Sequence, residues 1–232
     1  MFEIRKSKDR GSANYDWLNT NFTFSFNGYY DPKFLGFRSL KVINEDFLKG
    51  GGGFPFHEHK NMEIITYLVS GVLEHKDTLG NSAIISSGEV QLMSAGAGIK
   101  HSEFNHSKID DVHLLQIWIE PNEYDKPPAY QQKNYNNSSD KLLLLASANG
   151  ERSSLILKQD VKLYRAILSK DENISYKLKK ERHAWIQLIS GKLLINDSVI
   201  LSSGDGLAIT EGEILNFKGD ELNNHFLIFD LC

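Results

Sequence analysis

Apolar and polar residues alternate over short stretches along most of this 232-residue chain. Aromatic and β-branched residues dominate these stretches, which are separated by turn signals such as Asn27–Gly28 and Asp31–Pro32. A period of two is typical of strands with one buried face, and no long segment has the 3.6-residue period of a helix. The sequence therefore predicts an all-β fold, built as a sandwich or a barrel.

The second half of the chain repeats features of the first half. Residues 67–71 (YLVSG) align with residues 187–191 (QLISG), and residues 85–88 (ISSG) align with residues 201–204 (LSSG). Two matches in the same order indicate an internal duplication. We therefore expect two similar β-barrels, over residues 1–125 and 141–232, joined by a polar, proline-containing linker over residues 126–140.

Composition and charge narrow the class of protein. A hydrophobic content of 41% is that of a globular chain, and the formal charge of −4 gives no basic excess that would indicate nucleic acid as a partner. The single cysteine, Cys232, precludes an intramolecular disulfide and suits a reducing compartment. The N-terminus lacks an apolar leader and no stretch is long enough to span a membrane, so we expect a cytoplasmic protein with no membrane partner. We also expect a monomer.

Two short motifs carry candidate metal ligands. His57 and His59 are separated by one residue, and His101 and Glu103 repeat that spacing. Residues i and i+2 of a strand point to the same face, so each pair can direct two ligand atoms at one point. Two such strands brought together in one barrel would supply three imidazoles and one carboxylate, which predicts a metal site.

The duplication provides an internal control on this prediction. The offset between Gly71 and Gly191 places Lys177 and Lys179 opposite the first histidine pair. The offset between Gly88 and Gly204 places Phe217 and Gly219 opposite His101 and Glu103. Since the second copy lacks all four residues, the scaffold does not require them. This favours a ligand role in the first copy.

The predicted ligands limit the choice of metal ion but do not identify a single one. Neutral imidazoles suit iron, nickel, copper and zinc, and a carboxylate adds hard character and negative charge. Four protein ligands would leave two positions open on an octahedral ion, whereas zinc more often closes with four ligands. Iron(II) is the first choice, copper and nickel come next, and cobalt, manganese and zinc remain open.

Residues 51–63 (GGGFPFHEHKNME) resemble the first cupin motif, and residues 88–105 (GEVQLMSAGAGIKHSEFN) resemble the second. Together with NFTFSFNGYYDP, LEHKDTLGN and LLQIWIEP, these motifs make residues 10–130 similar to the pirin family of bicupins. Ser94 and Ala95 depart from general cupins, which carry Pro-x before the motif glycine. The resemblance implies two cupin barrels and a metal, commonly iron, held by the residues matching His57, His59, His101 and Glu103.

The resemblance also implies a function. Several bacterial pirins are similar to quercetin 2,3-dioxygenases, which open the flavonol C ring with O2 and release carbon monoxide. The expectation is thus a metal-dependent dioxygenase with a small aromatic substrate, in which Glu103 serves as catalytic base. The alternative is a non-catalytic, iron-binding redox sensor and transcriptional co-regulator like the nuclear pirin of mammals.

Glu63 is the residue that matches the carboxylate ligand of ordinary cupins. Because Glu103 lies two residues from His101 on the same strand face, we assign Glu103 as the ligand and Glu63 as either a residue behind the ligands or a surface residue at a strand end. For the other histidines we expect structural or solvent-exposed roles; they include His75, His106, His113, His183 and His225. The aromatic segment 21–30 is expected to serve as core and barrel lid.

Overall fold

The computed structural model describes residues 1–211 and 214–232, and strands form nearly all of its regular structure. Ser7–Asp9 and Glu151–Ser153 form short 3-10 helices. The strands of the first half are β1 (Phe2–Arg5), β2 (Gly11–Tyr15), β3 (Leu18–Phe22), β4 (Leu40–Leu48), β5 (Gly53–His59), β6 (Glu63–Ser70), β7 (Val72–Asp77), β8 (Ser82–Ser86), β9 (Glu89–Ser94), β10 (Ile99–Asn105), β11 (Val112–Ile119) and β12 (Ala129–Asn134). Those of the second half are β13 (Leu142–Ser147), β14 (Leu155–Ile156), β15 (Val161–Leu168), β16 (Asn173–Lys177), β17 (His183–Ser190), β18 (Lys192–Ile195), β19 (Val199–Ser202), β20 (Gly206–Ile209), β21 (Ile214–Gly219) and β22 (Asn224–Leu231).

The chain divides into two units, which we call the N-terminal and C-terminal barrels. The N-terminal barrel comprises Gly11–Asn137 and Leu157–Gln159. It contains a seven-stranded sheet in the order β12-β9-β6-β11-β4-β3-β2 and a four-stranded sheet in the order β5-β10-β7-β8. The C-terminal barrel comprises Met1–Arg10, Ser138–Ile156 and Asp160–Cys232. Its sheets have the orders β1-β20-β17-β22-β15-β13-β14 and β16-β21-β18-β19.

The two barrels share one topology, which confirms the predicted all-β fold and its internal duplication. The order β5-β10-β7-β8 corresponds to β16-β21-β18-β19, and β9-β6-β11-β4 corresponds to β20-β17-β22-β15. The repeated glycines occupy equivalent turns. Gly71 and Gly191, with φ of 86° and 89°, follow β6 and β17, and Gly88 and Gly204, with φ of 84° and 80°, precede β9 and β20. Positive φ is readily available only to glycine, so the turns explain the repeat.

The strands that complete each seven-stranded sheet change the predicted boundaries. Residues 126–140 are not simply a linker, because β12 lies within them and pairs with β9. Pro127 and Pro128 immediately precede β12, where their missing N–H groups remove no ladder hydrogen bond. Likewise β1 pairs with β20 of the C-terminal barrel, although its residues fall in the range predicted for the first. Polar edge strands of this kind give a weak hydrophobic signal.

A polar layer interrupts the interior of the N-terminal barrel. Ile64 and Leu68 on β6 belong to two different apolar clusters, and buried Thr66 lies between them on the same face. On β11, Leu114 belongs to one cluster and Trp118 packs against the other, with Gln116 between them. In the described part of the C-terminal barrel, an apolar cluster instead draws on most of the strands. The polar layer is where the candidate ligands lie.

No helix among residues 1–211 and 214–232 has the length and apolar composition needed to cross a membrane.

Candidate metal centre

Two neighbouring strands bring three of the predicted ligands together. On antiparallel β5 and β10, His57 lies opposite His101, and His59 lies opposite Ile99. The His57 ring centroid is 4.5 Å from that of His101 and 4.7 Å from that of His59, and the His59 and His101 centroids are 4.9 Å apart. One ring nitrogen from each residue lies within 4.8 Å of the others. Three side chains placed in this way could hold one metal ion.

Glu103 joins the site from the far side of a register shift. The β5–β10 pairing shifts between His101 and Glu103, so Glu103 faces Phe54 on β5 and His75 on β7. Its carboxylate falls within 4.8 Å of nitrogens of His101 and His75, a second group that shares His101 with the first. The four predicted ligands are therefore linked through His101, and their joint coordination of one ion stays a prediction.

Three donors fix the buried Glu103 carboxylate, which is 1% exposed. Oε1 accepts hydrogen bonds from Thr66 Oγ1 and Gln91 Nε2, both at 2.8 Å, and Oε2 accepts one from Gln116 Nε2 at 2.7 Å. Burial alone would raise the pKa of Glu103, but His101 and the hydrogen bonds from Thr66 and Gln91 outweigh it and hold the pKa below its usual value. The carboxylate is thus an ionised and rigid acceptor.

His101 gives the most direct test of whether these residues fit a metal. It is 1% exposed, and neither of its ring nitrogens has a hydrogen-bond partner among the described residues. Unpartnered buried nitrogen is costly unless a ligand satisfies it. Burial lowers the pKa of His101 to about 4 and that of His59 to about 3, so both imidazoles are neutral at pH 7. Neutral imidazole is the form that binds a metal ion, so the residues fit one.

His57 is held by its own strand. Its Nδ1 lies 2.8 Å from the Pro55 backbone oxygen, to which a neutral ring with a proton on Nδ1 donates. This tautomer leaves Nε2 with its lone pair free for a cation. A hydrogen bond from the second ring nitrogen is the usual way in which a ligand histidine is oriented.

His75 is a site residue that the sequence interpretation missed. It is fully buried, its ring stacks on Tyr130 with centroids 4.8 Å apart, and its Nε2 lies 3.0 Å from Asp77 Oδ2. Burial would raise the pKa of Asp77, but hydrogen bonds from Asn81 and His75 lower it. Asp77 is therefore ionised and accepts a hydrogen bond from His75 Nε2. The spacing of His75 and Asp77 was an available signal, since it matches that of His57 and His59.

Glu63 is buried but lies outside both groups. Its Oε2 accepts hydrogen bonds from Ser94 Oγ at 2.9 Å and from the Lys158 backbone N–H at 3.1 Å. Burial raises the pKa of Glu63, against the opposing effect of those bonds. At 2% exposure it is not a surface residue, which corrects one of the two roles expected for it. Its visible role is to join β6, the end of β9 and the strand-free segment 157–159.

A cavity of about 710 Å³ reaches the histidines from one side. Its walls include the aromatic residues Trp17, Phe22, Phe26, Phe54 and Trp118, and its polar lining includes Thr20, Asn44, Asp46, His57, His59, Glu103 and Gln116. Trp118 contacts the His59 ring edge to face at 4.9 Å between centroids. Phe22 and Phe26 come from the segment expected to serve as core and lid, and they also line this cavity. Its volume is that of a small-molecule site.

At the positions equivalent to the candidate ligands, the C-terminal barrel has residues different from those predicted by the sequence offset. Phe217 lies opposite Ile174 on β16 and Ile195 on β18, as Glu103 lies opposite Phe54 and His75. Leu215 lies opposite Tyr176, as His101 lies opposite His57. The register thus places Tyr176, rather than Lys177, at the position of His57, and Leu215 and Phe217, rather than Phe217 and Gly219, at those of His101 and Glu103. No His, Cys, Asp and Glu group suited to a metal occurs in the described part of this barrel.

A duplicated β-barrel with a histidine cluster beside a cavity in its first copy is the architecture of a metal-binding bicupin. The Pirin family profile matches residues 3–119, and the profile named Quercetinase C-terminal cupin domain matches residues 144–231. The chain belongs to the pirin family, as its motifs predict.

Similar proteins extend over the full length. The chain is 44% identical to an Escherichia coli K12 protein named quercetin 2,3-dioxygenase, over all of this chain and 99% of the relative. It is 35% identical to a pirin-like protein of Caulobacter vibrioides, over 94% of both chains. The crystal structure of the bacterial pirin YhhW in complex with nickel(II), from Escherichia coli, superposes with a TM-score of 0.94 at 43% identity and covers 100% of this chain and 99% of that one. Together with the histidine cluster, this relationship supports a divalent metal in the N-terminal barrel.

Proposed function

We propose that this chain is a metal-dependent dioxygenase that cleaves a flavonol, or a similar enolic aromatic compound, with O2. The observation that carries the proposal is the aromatic-walled cavity of about 710 Å³ that is lined by His57, His59 and Glu103. The relative named quercetin 2,3-dioxygenase, at 44% identity over the whole chain, supports the reaction type. The co-regulator alternative is not favoured, since that relative carries an enzyme name.

His57, His59, His101 and Glu103 would hold the metal, with iron(II) as the first choice. A bound divalent ion supplies Lewis acidity that lowers the pKa of an enolic hydroxyl. The joint ligand set and the preference for iron are part of the proposal. Nickel in the YhhW complex keeps that metal open as an alternative.

Glu103 would accept the proton of the substrate hydroxyl. Its carboxylate is ionised, and Oε2 accepts one hydrogen bond among the described residues where Oε1 accepts two, so Oε2 has more capacity for a substrate proton. Gln116 and Gln91 keep the carboxylate oriented while the proton moves. This arrangement suits general base catalysis, which depends on a positioned and unprotonated acceptor.

The cavity walls would orient the substrate and exclude water. Trp118 lies edge to face with both His59 and Phe26, at centroid distances of 4.9 and 5.4 Å, and so forms a continuous aromatic surface next to the cluster. Such a surface favours a flat aromatic ligand. Removal of water protects an electron-rich enolate from reprotonation until O2 reacts with it.

The test is aerobic incubation of metal-loaded protein with quercetin, followed by loss of visible absorbance, O2 uptake and carbon monoxide release. We expect turnover with at least one of iron, nickel, copper, cobalt and manganese, and none in His59→Ala. A protein that binds metal at the cluster but turns over quercetin with none of these ions would contradict the proposal. The monomeric state stays a prediction.

A further inference from the structure

Two polar residues line the cavity on a strand that carries no candidate ligand. Asn44 and Asp46 are alternate residues of β4, so they point to one face, and both line the cavity. They are 5% and 3% exposed. A cavity wall of this kind in a β-barrel is normally apolar, so two buried polar groups need a reason.

Asn44 has an unsatisfied acceptor. Its Oδ1 is buried and has no hydrogen-bond partner among the described residues. Buried polar atoms of native proteins are nearly always paired, and an exception in a cavity wall indicates a group that a ligand completes. The partner of a carbonyl oxygen must be a donor, and a phenolic hydroxyl is such a donor.

Asp46 complements Asn44. Burial raises the pKa of Asp46 to about 7, and the negative charges of Glu103 and Glu45 contribute to this rise. Near neutral pH its carboxyl group is therefore present in both protonated and ionised forms, and it can donate to or accept from a hydroxyl. The Glu45 carboxylate is engaged by His113, whose Nε2 lies 3.1 Å away.

The position of this pair relative to the cluster suits one ligand molecule. Asn44 lies opposite Gln116 on β11, and Gln116 donates to Glu103. Neighbouring strands are about 5 Å apart and alternate residues on a strand are about 7 Å apart. An aromatic ligand whose enolic oxygen is near Glu103 can therefore extend a ring toward β4.

The C-terminal barrel shows that the fold does not require these polar residues. On β15, Tyr164 lies opposite Ile228 in the register that Asn44 has with Gln116, and Ala166 takes the place of Asp46. Both belong to an apolar cluster. Polar side chains at these positions are thus a feature of the barrel with the cavity.

We propose that Asn44 and Asp46 form a subsite that binds a phenolic hydroxyl of the substrate remote from its enolic group, and so select polyhydroxylated flavonols. This inference rests on the proposed function and deepens it by naming the substrate class. The alternative, a purely structural polar pair, predicts no dependence of ligand affinity on remote hydroxyls.

The test compares quercetin with 3-hydroxyflavone, which keeps the enolic head group but lacks the other hydroxyls. Nickel-loaded protein is titrated anaerobically with each compound, and binding is followed by quenching of tryptophan fluorescence, since Trp17 and Trp118 line the cavity. We expect wild type to bind quercetin at least about tenfold more tightly than 3-hydroxyflavone, which is the effect of one well-formed hydrogen bond. Asn44→Leu should remove most of that difference and leave 3-hydroxyflavone affinity within about twofold.

Matched variants separate the possible outcomes. Asn21→Leu changes an asparagine of β3 that is outside the cavity lining and should keep the wild-type preference. Asn44→Thr, with a β-branched residue suited to a strand, serves if Asn44→Leu does not fold. Equal losses for both ligands, or an unchanged preference in a folded Asn44 variant, would overturn the subsite alone. Failure of wild type to bind either compound would overturn the proposed function and the subsite with it.

Discussion

The two barrels have the same strand order, but the interior of the N-terminal barrel contains a polar layer and that of the C-terminal barrel is apolar. Around the Glu103 carboxylate the N-terminal barrel carries three polar side chains, and the equivalent positions of the C-terminal barrel are aliphatic. In matching register the pairs are Thr66 and Ile186, Gln91 and Leu207, and Gln116 and Ile228. Thr66 faces both glutamines, as Ile186 faces Leu207 and Ile228. The scaffold therefore closes without polar residues in this layer.

The positions of the candidate ligands also hold apolar or uncharged residues in the C-terminal barrel. The position of His57 holds Tyr176, those of His101 and Glu103 hold Leu215 and Phe217, and that of His75 holds Ile195. Leu215, Phe217 and Ile195 are fully buried in the apolar cluster. One barrel thus uses its interior to stabilise itself, and the other gives up apolar packing for a polar, cavity-lined cluster. The comparison separates what the fold needs from what the site needs.

The largest expected effect is a loss of stability when the apolar interior of the C-terminal barrel is disrupted. Phe217→Ala removes a fully buried ring from the C-terminal barrel and should lower its free energy of unfolding by about 3–5 kcal/mol. Metal content should not change. Denaturant unfolding measures the first and elemental analysis the second. Ile200→Ala, at a residue that is 50% exposed, is the control and should cost less than about 1 kcal/mol. A Phe217→Ala loss no larger than that of the control would contradict a packed apolar interior.

The next effect is on metal affinity. His101→Phe replaces the imidazole with an apolar ring that offers no ligand atom, and we expect at least a 100-fold loss of metal affinity, or about 2.7 kcal/mol, because the buried nitrogens of His101 join both groups of candidate ligands. Competition with a chelator measures it. His106→Ala, at an exposed histidine just after β10, should bind as wild type does. Wild-type affinity in a folded His101→Phe variant would show that the comparison has misplaced the site.

A smaller effect is expected from the hydrogen bonds that hold Glu103. Gln91→Leu introduces the residue of the C-terminal barrel and removes the 2.8 Å bond to Oε1. Loss of such a supporting bond typically reduces metal affinity about 10- to 100-fold. The same chelator competition applies, with Gln159→Leu as a control, since the Gln159 side chain donates to the Glu120 backbone oxygen instead. Affinity that is unchanged relative to this control would mean that the polar layer does not support the ligand.

The smallest effect is on the pH dependence of stability in the metal-free protein. The pKa of His101 falls from 6.5 to about 4 in the folded state, mainly through burial, so between those values the unfolded chain binds a proton that the folded chain does not. Its contribution is present above pH 6.5 and is lost as the pH falls toward 4. Replacement by Phe should reduce the slope of unfolding free energy against pH by about 1.4 kcal/mol per unit. Urea unfolding of chelator-treated protein measures it, and identical slopes would contradict a buried neutral His101.

The sequence carries the features that depend on local spacing. The period of two predicts the strands, the glycines with positive φ mark equivalent turns in both copies, and the i, i+2 spacing places His57 and His59 on one face. These histidines meet His101 because β5 pairs with β10. The repeated order of the motifs in the two halves of the chain indicates this pairing.

Features that depend on pairing between distant strands are not predictable in this way. The β5–β10 pairing has a register shift between His101 and Glu103, and no such shift is present between the described residues of β16 and β21, so an offset taken at the later glycines gives Lys177 where the structure has Tyr176. His75 enters the site only because β7 pairs with β10. The edge strand β1 pairs with β20, which is distant in sequence. The polar composition of β12 hides its strand pattern.

Anomalous diffraction at the absorption edge of a loaded divalent metal tests the central claim most directly. The account predicts one strong peak per chain, in the N-terminal barrel, within bonding distance of His57, His59, His101 and Glu103. A peak bonded to His75, His101 and Glu103 without the first histidine pair, or a peak of equal strength in the C-terminal barrel, would contradict it.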